Sequence, residues 1–238
     1  MLGLANGLTN TSYQWQPNMV DANMVLWLRN GVGVTAAQWD DSSGNRRHIT
    51  QATSGDQATV DQGGLNFEQS EADHYDITGS DVVIDGGEYF AMFLVCTIES
   101  YDGTQNTVLG TSATATFFEF QSDRRIRFKT NATSTTDIIQ YEEDVFVAEQ
   151  KMVLAVERLA GGVGLVKTYK NGTLLVVEST PTGDGNNNGA ITFNAVGMRK
   201  DDRHFDGTIH ELIVYDTTDL IGADIVKINN YLKNKHGL

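Results

Sequence analysis

The feature that most constrains the fold is a succession of short strand-like segments, separated by turn residues, that begins near residue 25. Arg125 to Lys129 alternates basic and apolar side chains, which is typical of a strand with one buried face. Tyr89 to Ile98 is almost entirely apolar, which favours a central strand covered on both faces. Many short strands with frequent turn signals predict an all-β sandwich.

A hairpin and a helix are the clearest local predictions. Asn171-Gly172 lies between the strand-like segments Leu165 to Lys170 and Thr173 to Glu178, and this dipeptide tolerates the positive φ angles of a type I′ turn. Near the C-terminus apolar residues recur at helical spacing. We therefore predict a short helix at about 219–236, with its apolar stripe packed across an open end or edge of the sandwich. The stripe comprises Ile221, Ile225, Ile228 and Leu232.

The chain divides into two parts of different character. Residues 1–22 are rich in Asn, Gly, Thr and Gln and have no strand or helix period, whereas residues 23–238 carry the sandwich and the helix. We interpret 1–22 as an N-terminal arm that anchors the domain to a partner. Its candidate anchors are Tyr13, Trp15 and Met19, because aromatic side chains are effective at interfaces.

Charge and cysteine content exclude several partner classes. With 17 Lys and Arg against 31 Asp and Glu, the net charge is −14, which disfavours nucleic acids and anionic membrane surfaces. The single cysteine, Cys96, lies in an apolar run and cannot form an internal disulfide. The first basic residue is Arg29, so the charged start of a signal peptide is missing. We expect a protein made and assembled in a cytoplasm.

No catalytic pattern is visible. The paired carboxylates of glucanases, Glu-x-Asp-x-x-Glu on one strand, do not occur, and Glu68, Glu71 and Asp73 have the wrong spacing. A Gly-x-Ser-x-Gly elbow is also missing. We therefore predict that the chain is not an enzyme and has no cofactor.

Three sets of residues are candidates for binding. Two oxygen-rich turns could help to bind Ca²⁺, although Asp and Asn also favour turns because they bond their own backbone. A basic cluster is either a solvated strand face or a docking patch for an acidic subunit. Loop-proximal aromatic residues could stack against a sugar. The candidate metal ligands are Asp40, Asp41 and Asn45, with Asp201, Asp202 and Asp206 as the second turn; the docking candidates are Arg125, Arg127 and Lys129; the glycan candidates are Trp39, Tyr101 and Tyr141.

Six motifs follow one another along the chain: Leu26-Trp27-Leu28, the turn Trp39 to Asn45, the pair Gly64 to Phe67 and His74 to Ile77, the turn Lys170-Asn171-Gly172, the Phe-x-Gly-x-Ile-x-Glu-apolar segment Phe205 to Leu212, and the C-terminal segment Tyr231 to Leu238. In the order of these motifs the chain resembles the laminin-G-like branch of the concanavalin A-like domains. The resemblance implies a two-sheet antiparallel jelly-roll sandwich with a short C-terminal helix. Because this fold serves many uses, the resemblance leaves function open.

The opening Met1-Leu2-Gly3-Leu4 and the Asn-rich arm resemble short proteins of marine tailed phages, cyanophages especially. This resemblance implies a non-catalytic virion structural protein, either a capsid decoration or a head or tail appendage. Its partners would be other virion proteins, and it would occur as a homo-oligomer or in many copies in a virion assembled in the host bacterial cytoplasm. The alternative is a carbohydrate-binding, host-adhesion module of a fibre, with a glycan as its partner.

Overall fold

The structure is a computed structural model of the 238-residue chain. It describes residues 15–20, 22–101, 105–111, 116–130, 136–159, 166–182, 189–199, 203–216, 220 and 222–238. Tyr13, Asp201, Asp202, Asp219 and Ile221 lie outside the described residues. In the part of the chain that is described, no helix is long and apolar enough to cross a membrane.

The first sheet, sheet A, has eight antiparallel strands in the order β15-β14-β13-β8-β21-β5-β4. The eighth strand, β1, pairs with the second half of β21. Its strands are β1 (Met24–Leu28), β4 (Thr59–Asp61), β5 (Gly64–Phe67), β8 (Phe90–Ile98), β13 (Met152–Arg158), β14 (Lys167–Lys170), β15 (Thr173–Leu174) and β21 (Gly207–Asp216).

The second sheet, sheet B, has nine antiparallel strands in the order β16-β12-β11-β10-β9-β18-β6-β3-β2. Its strands are β2 (Gln38–Trp39), β3 (Ile49–Thr50), β6 (Tyr75–Ile77), β9 (Asn106–Gly110), β10 (Phe117–Ser122), β11 (Arg125–Lys129), β12 (Asp137–Tyr141), β16 (Val177–Thr182) and β18 (Ala195–Val196).

The remaining elements are two short strand pairs, three 3₁₀ turns and one helix. The pairs are β7 (Val82–Ile84) with β17 (Ile191–Phe193), and β19 (Met198–Arg199) with β20 (Arg203–His204). The 3₁₀ turns span Pro17–Met19, Ser54–Asp56 and Gln69–Glu71, and the helix α1 spans Gly222–His236. The predicted all-β sandwich with a C-terminal helix is confirmed.

The apolar run of β8 is explained by two cores, one on each face of sheet A. Met92, Leu94 and Cys96 belong to the core between the two sheets. Phe93 and Val95 alternate with them and belong to a second core on the outer face of sheet A. Successive side chains of a strand point to opposite faces, so a strand covered on both faces must be apolar throughout. The prediction of a doubly covered central strand is confirmed.

The helix lies on the outer face of sheet A. Its buried residues Ile225, Ile228 and Leu232 belong to the same core as Phe93 of β8 and Val153 of β13. The prediction that the helix closes an end or edge of the sandwich is therefore wrong. The physical reason is that β8, β13 and β21 carry apolar residues on both faces, and the helix stripe covers the face that sheet B leaves open.

The Asn171-Gly172 hairpin forms as predicted, but the strand after it is shorter than expected. Both turn residues have positive φ, 51° and 84°, as a type I′ turn requires. β15 stops at Leu174, and the chain then enters sheet B as β16 from Val177. The segment Thr173 to Glu178, predicted as one strand, therefore divides between the two sheets.

Candidate functional site

A cavity of about 610 Å³ lies on the outer side of α1. It is formed by three segments that are far apart in sequence: the N-terminal segment before β1, the end of β1, and the polar face of the helix. Residues three or four apart on a helix share a face, which explains the spacing of its helical residues. Its lining residues are Trp15, Gln16, Arg29, Lys227, Asn230, Tyr231, Asn234 and Lys235. We call it the Trp15–Tyr231 pocket.

The N-terminal segment is held against the sandwich by specific contacts. Pro17 is buried, and its carbonyl oxygen accepts a hydrogen bond of 2.9 Å from the Tyr215 hydroxyl of β21. Val20 is buried in the outer core of sheet A. Trp15 meets Tyr231 of the helix edge to face, with ring centroids 6.0 Å apart. The two rings therefore form one apolar wall of the pocket.

The pocket contains three cationic side chains, two of which have carboxylate partners. Lys227 Nζ lies 3.2 Å from Asp224 Oδ1, and Lys235 Nζ lies 2.7 Å from Glu211 Oε2. The Arg29 guanidinium lies 5.0 Å from the centroid of the Trp27 ring and has no carboxylate partner among the described residues. Cation–π contact of this kind orients a guanidinium without neutralising it.

Tyr231 reports the electrostatics of the pocket. Burial, and after it the Glu211 carboxylate, raises the pKa of Tyr231. The Arg29 guanidinium acts in the opposite direction, both by its charge and by a hydrogen bond to the Tyr231 side chain. Arg29 and Tyr231 are therefore neighbours in the fold, although they lie near opposite ends of the sequence.

A buried carboxylate anchors the helix beneath the pocket. Glu211 of β21 is 0% exposed and accepts hydrogen bonds from Trp27 Nε1 at 2.8 Å, Lys235 Nζ at 2.7 Å and His236 Nε2 at 2.9 Å. Burial alone would raise the pKa of Glu211, but the hydrogen bonds from His236, Lys235 and Trp27 and the charge of Lys235 outweigh it, and the pKa is lowered. The last turn of α1 is thereby joined to sheet A.

The side chains of the predicted Ca²⁺ turn make hydrogen bonds within the protein. Asp41 Oδ1 accepts the backbone N–H groups of Trp27 and Ser43 at 2.9 and 2.8 Å, and Oδ2 accepts that of Arg47 at 3.0 Å. Asp40 Oδ1 lies 3.1 Å from His48 Nδ1. Asn45 donates to the Met24 carbonyl at 2.8 Å. The bonds from Ser43 and Arg47 to Asp41 are of the kind that lead Asp to favour turns, and Ca²⁺ binding by this turn stays a prediction.

A different group of carboxylates comes together at the ends of three strands of sheet A. Glu68 follows β5, Glu99 follows β8 and Asp206 precedes β21, and one oxygen of each lies within 4.8 Å of the others. Burial, followed by the charges of Glu99 and Asp206, raises the pKa of Glu68. Asp206 belongs to the second oxygen-rich turn of the sequence, whereas Glu68 and Glu99 were not predicted as ligands.

Two of the three aromatic residues predicted to contact a glycan belong to the interior, and the third is partly buried. Trp39 is 0% exposed and donates through Nε1 to the Arg29 carbonyl at 3.0 Å. Tyr141 is 1% exposed and donates to Thr168 Oγ1 at 2.7 Å. Tyr101 is partly buried against the core between the sheets. Trp39 and Tyr141 therefore offer no ring face to a ligand, whereas Tyr101 keeps part of its surface exposed.

The predicted docking residues divide between the N-terminal segment and β11 of sheet B. In the N-terminal segment, Trp15 lines the pocket and Met19 is 38% exposed. On β11, Arg125 Nε donates to Gln140 Oε1 at 2.8 Å, and Arg127 donates to the buried Glu119 at 2.6 Å. Lys129 is half-buried. The strand alternates as predicted, but Arg127 is already paired within the fold.

The pocket residues other than Trp15 were missed by sequence reasoning. In the sequence Arg29 is notable only as the first basic residue, and Tyr231 to Lys235 only as the end of a helix. The available signal was the polar face of that helix, where Lys227, Tyr231 and Asn234 recur at spacings of four and three. That face predicts a pocket only when the N-terminal segment is known to pack beside it.

Comparisons with solved structures identify the fold. The receptor-binding domain of botulinum neurotoxin D aligns with a TM-score of 0.59 at 13% identity, over 91% of this chain and 54% of that chain. The botulinum neurotoxin serotype D ligand-binding domain in complex with N-acetylneuraminic acid aligns with a TM-score of 0.57 at 12% identity, over 88% and 51%. Trypanosoma rangeli sialidase aligns with a TM-score of 0.54 at 14% identity, over 90% and 33%. No protein-family model and no curated protein matches the chain.

These similarities correct one prediction and support another in general terms. The prediction excluded an enzyme, and this exclusion is wrong, because the similar structures include sialidases at 13–15% identity. The chain spans only about a third of the length of the sialidases and half of that of the toxin domains. Sequence identity as low as 12–15% shows a shared fold and not a shared function. The similar structures are β-sandwiches, which agrees with the predicted jelly-roll fold, and both a toxin domain and a sialidase were solved with a bound sugar.

Proposed function

We propose that this chain is a carbohydrate-binding protein and that the Trp15–Tyr231 pocket is its sugar site. One observation carries the proposal: two aromatic rings, three side-chain amides and a guanidinium without a carboxylate partner among the described residues converge on one cavity. Its volume of about 610 Å³ suits a small ligand such as one or two sugar rings. The amides are those of Gln16, Asn230 and Asn234.

The chemistry of the lining suits a sugar better than an apolar ligand. Aromatic faces pack against the C–H groups of a sugar ring, while side-chain amides both donate to and accept from its hydroxyls. Asn230 and Asn234 are exposed on the helix and have room to bind a ligand. The sugar bound to the similar domain of botulinum neurotoxin D supports the same reading.

A glycan-binding measurement with three variants tests this proposal. Asn234→Ala removes an exposed amide, and Trp15→Ala removes one ring; both should weaken binding by about tenfold or more, the effect of losing one good polar or stacking contact. Val226→Ala changes an exposed residue of the same helix outside the pocket and should bind normally. Unchanged binding by both pocket variants would place the sugar elsewhere, and failure of the unmodified protein to bind any glycan would reject the function.

We further propose that the protein is part of a tailed-phage particle and binds glycans of the host. It would then be both a virion protein and a carbohydrate-binding module, the two functions predicted from the sequence. The support is the resemblance of the first residues and the Asn-rich arm to phage proteins. Because residues 15–20 pack on the sandwich, the informative deletion is 1–14 rather than the whole arm. The deleted protein should keep its glycan binding but no longer attach to particles that lack this protein. Attachment without residues 1–14 would contradict the anchoring role.

A further inference from the structure

The charge of the Trp15–Tyr231 pocket is opposite to that of the protein. The chain has a net charge of −14, yet every ionisable lining residue that carries charge at neutral pH is a cation: Arg29, Lys227 and Lys235. An acidic protein repels anions over most of its surface. A cationic cavity in such a protein is therefore a favourable place for an anionic ligand to bind.

The three cations differ in what they can offer a ligand. Lys227 and Lys235 are paired with Asp224 and Glu211, which reduces their attraction for a further anion. Arg29 has no carboxylate within the described part of the chain, and its guanidinium is oriented by the Trp27 ring and by the Tyr231 side chain. A planar guanidinium binds a carboxylate through two parallel N–H···O hydrogen bonds, a geometry that a lysine cannot match.

We propose that the ligand of this pocket is a sugar that carries a carboxylate, and that Arg29 is the residue that recognises it. The inference rests on the proposed function of the pocket. The carboxylate binds the guanidinium, the sugar ring packs against Trp15 and Tyr231, and the hydroxyls contact the pocket amides. Uronic acids and nonulosonic acids both provide this chemistry.

Matched pairs of oligosaccharides test the inference. Sialyllactose is compared with lactose, and galacturonate oligomers with their methyl esters, by calorimetry on the full chain. We expect the acid of each pair to bind about tenfold or more tightly, the advantage of one charge-assisted contact. The advantage should shrink between about 0.05 and about 0.5 M NaCl, because salt screens exposed charges.

Arg29 variants locate the recognition. Arg29→Gln should remove the preference for the acid over the neutral partner of each pair, whereas Arg29→Lys should keep only part of that preference. Arg46→Gln removes an equal charge at an exposed position outside the pocket and should keep the full preference. Thermal melting of each variant separates loss of recognition from loss of folding.

The possible results separate this inference from the proposed function. Equal binding of acid and neutral glycans would overturn the inference and leave a neutral sugar site. A preference for sulfated over carboxylated glycans, or a preference that survives Arg29→Gln, would also overturn it. If no glycan of either kind binds, the proposed function fails together with the inference.

Discussion

Removing the buried charge of Glu211 should destabilise the protein by about 3 kcal/mol. Glu211 is fully buried and receives one hydrogen bond each from Trp27, Lys235 and His236. Glu211→Gln keeps the size of the side chain but removes the charge and replaces one acceptor with a donor. Hydrogen bonds to charged groups contribute about 1.5–3 kcal/mol, and loss of one partner of a buried ion pair costs about 3–5 kcal/mol.

Urea unfolding of the wild type and variant measures this loss as a change in the free energy of unfolding. For a chain of this size about 3 kcal/mol corresponds to a decrease in Tm of about 6–12 °C. Glu143→Gln, at an exposed position, is the matched control and should stay within about 0.5 kcal/mol of the wild type. In a double-mutant cycle, Glu211→Gln and Lys235→Gln should show a coupling energy of at least about 1 kcal/mol.

The pH dependence of stability gives an independent check. The pKa of Glu211 in the folded protein is lowered below its ordinary value of 4.5. The unfolded chain therefore binds a proton first as pH falls, so the stabilisation is complete above pH 4.5 and is lost as pH decreases through the folded pKa. Glu211→Gln should lack this part of the acid loss. A variant that is as stable as the wild type and loses stability in acid to the same extent would refute the reasoning.

Three further predictions concern other parts of the fold. Burial, followed by the charges of Lys151 and His236, lowers the pKa of His210 from 6.5 to about 3. The free energy of unfolding should therefore decrease as pH falls from 6.5 towards 3, and unfolding measurements across this range should show a smaller decrease for His210→Gln. A Cβ at Gly64 would overlap the Ile209 carbonyl oxygen, so urea unfolding should show that Gly64→Ala destabilises by about 1–3 kcal/mol, whereas Gly55→Ala, in open space, should not. Burial raises the pKa of the Cys96 thiol, so a thiol reagent should label it only at the rate of unfolding, and rapid labelling of folded protein would contradict its burial.

Much of the fold was predictable because the longer strands carry a clear pattern, either alternating or apolar throughout. Arg125 to Lys129 alternates in sequence and in burial, and the strand has the predicted limits. β12 was missed because its pattern is misleading: Asp137 is buried while the apolar Ile138 is half-exposed. Strands of two residues, such as Gln38–Trp39, are too short to show any period. Sequence patterns therefore identify best the strands of several residues whose pattern, alternating or wholly apolar, follows their burial.

The candidate site was much less predictable than the fold. Aromatic residues near turns were expected to face a ligand, but Trp39 and Tyr141 fill the interior and bond to neighbouring protein atoms. An amino-acid sequence gives the side chain's chemistry but not whether another segment covers it. Trp15 was selected for the same aromatic character and does reach a cavity, because its polar neighbours leave the segment on the surface.

The pocket follows from the way the second core is closed. The outer face of sheet A is apolar at Phe93 and Val153, so the helix must lie across it with Ile225, Ile228 and Leu232 inward. A single helix is too narrow to cover the whole face, and the N-terminal segment covers the rest through Val20. Two convex elements that pack side by side on a sheet leave a crevice between them, and the Trp15 and Tyr231 rings meet in that crevice. Arg29, at the end of β1 beside it, gives the crevice its positive charge. The binding site is thus a consequence of covering the second face, which explains why no single segment of the sequence contains it.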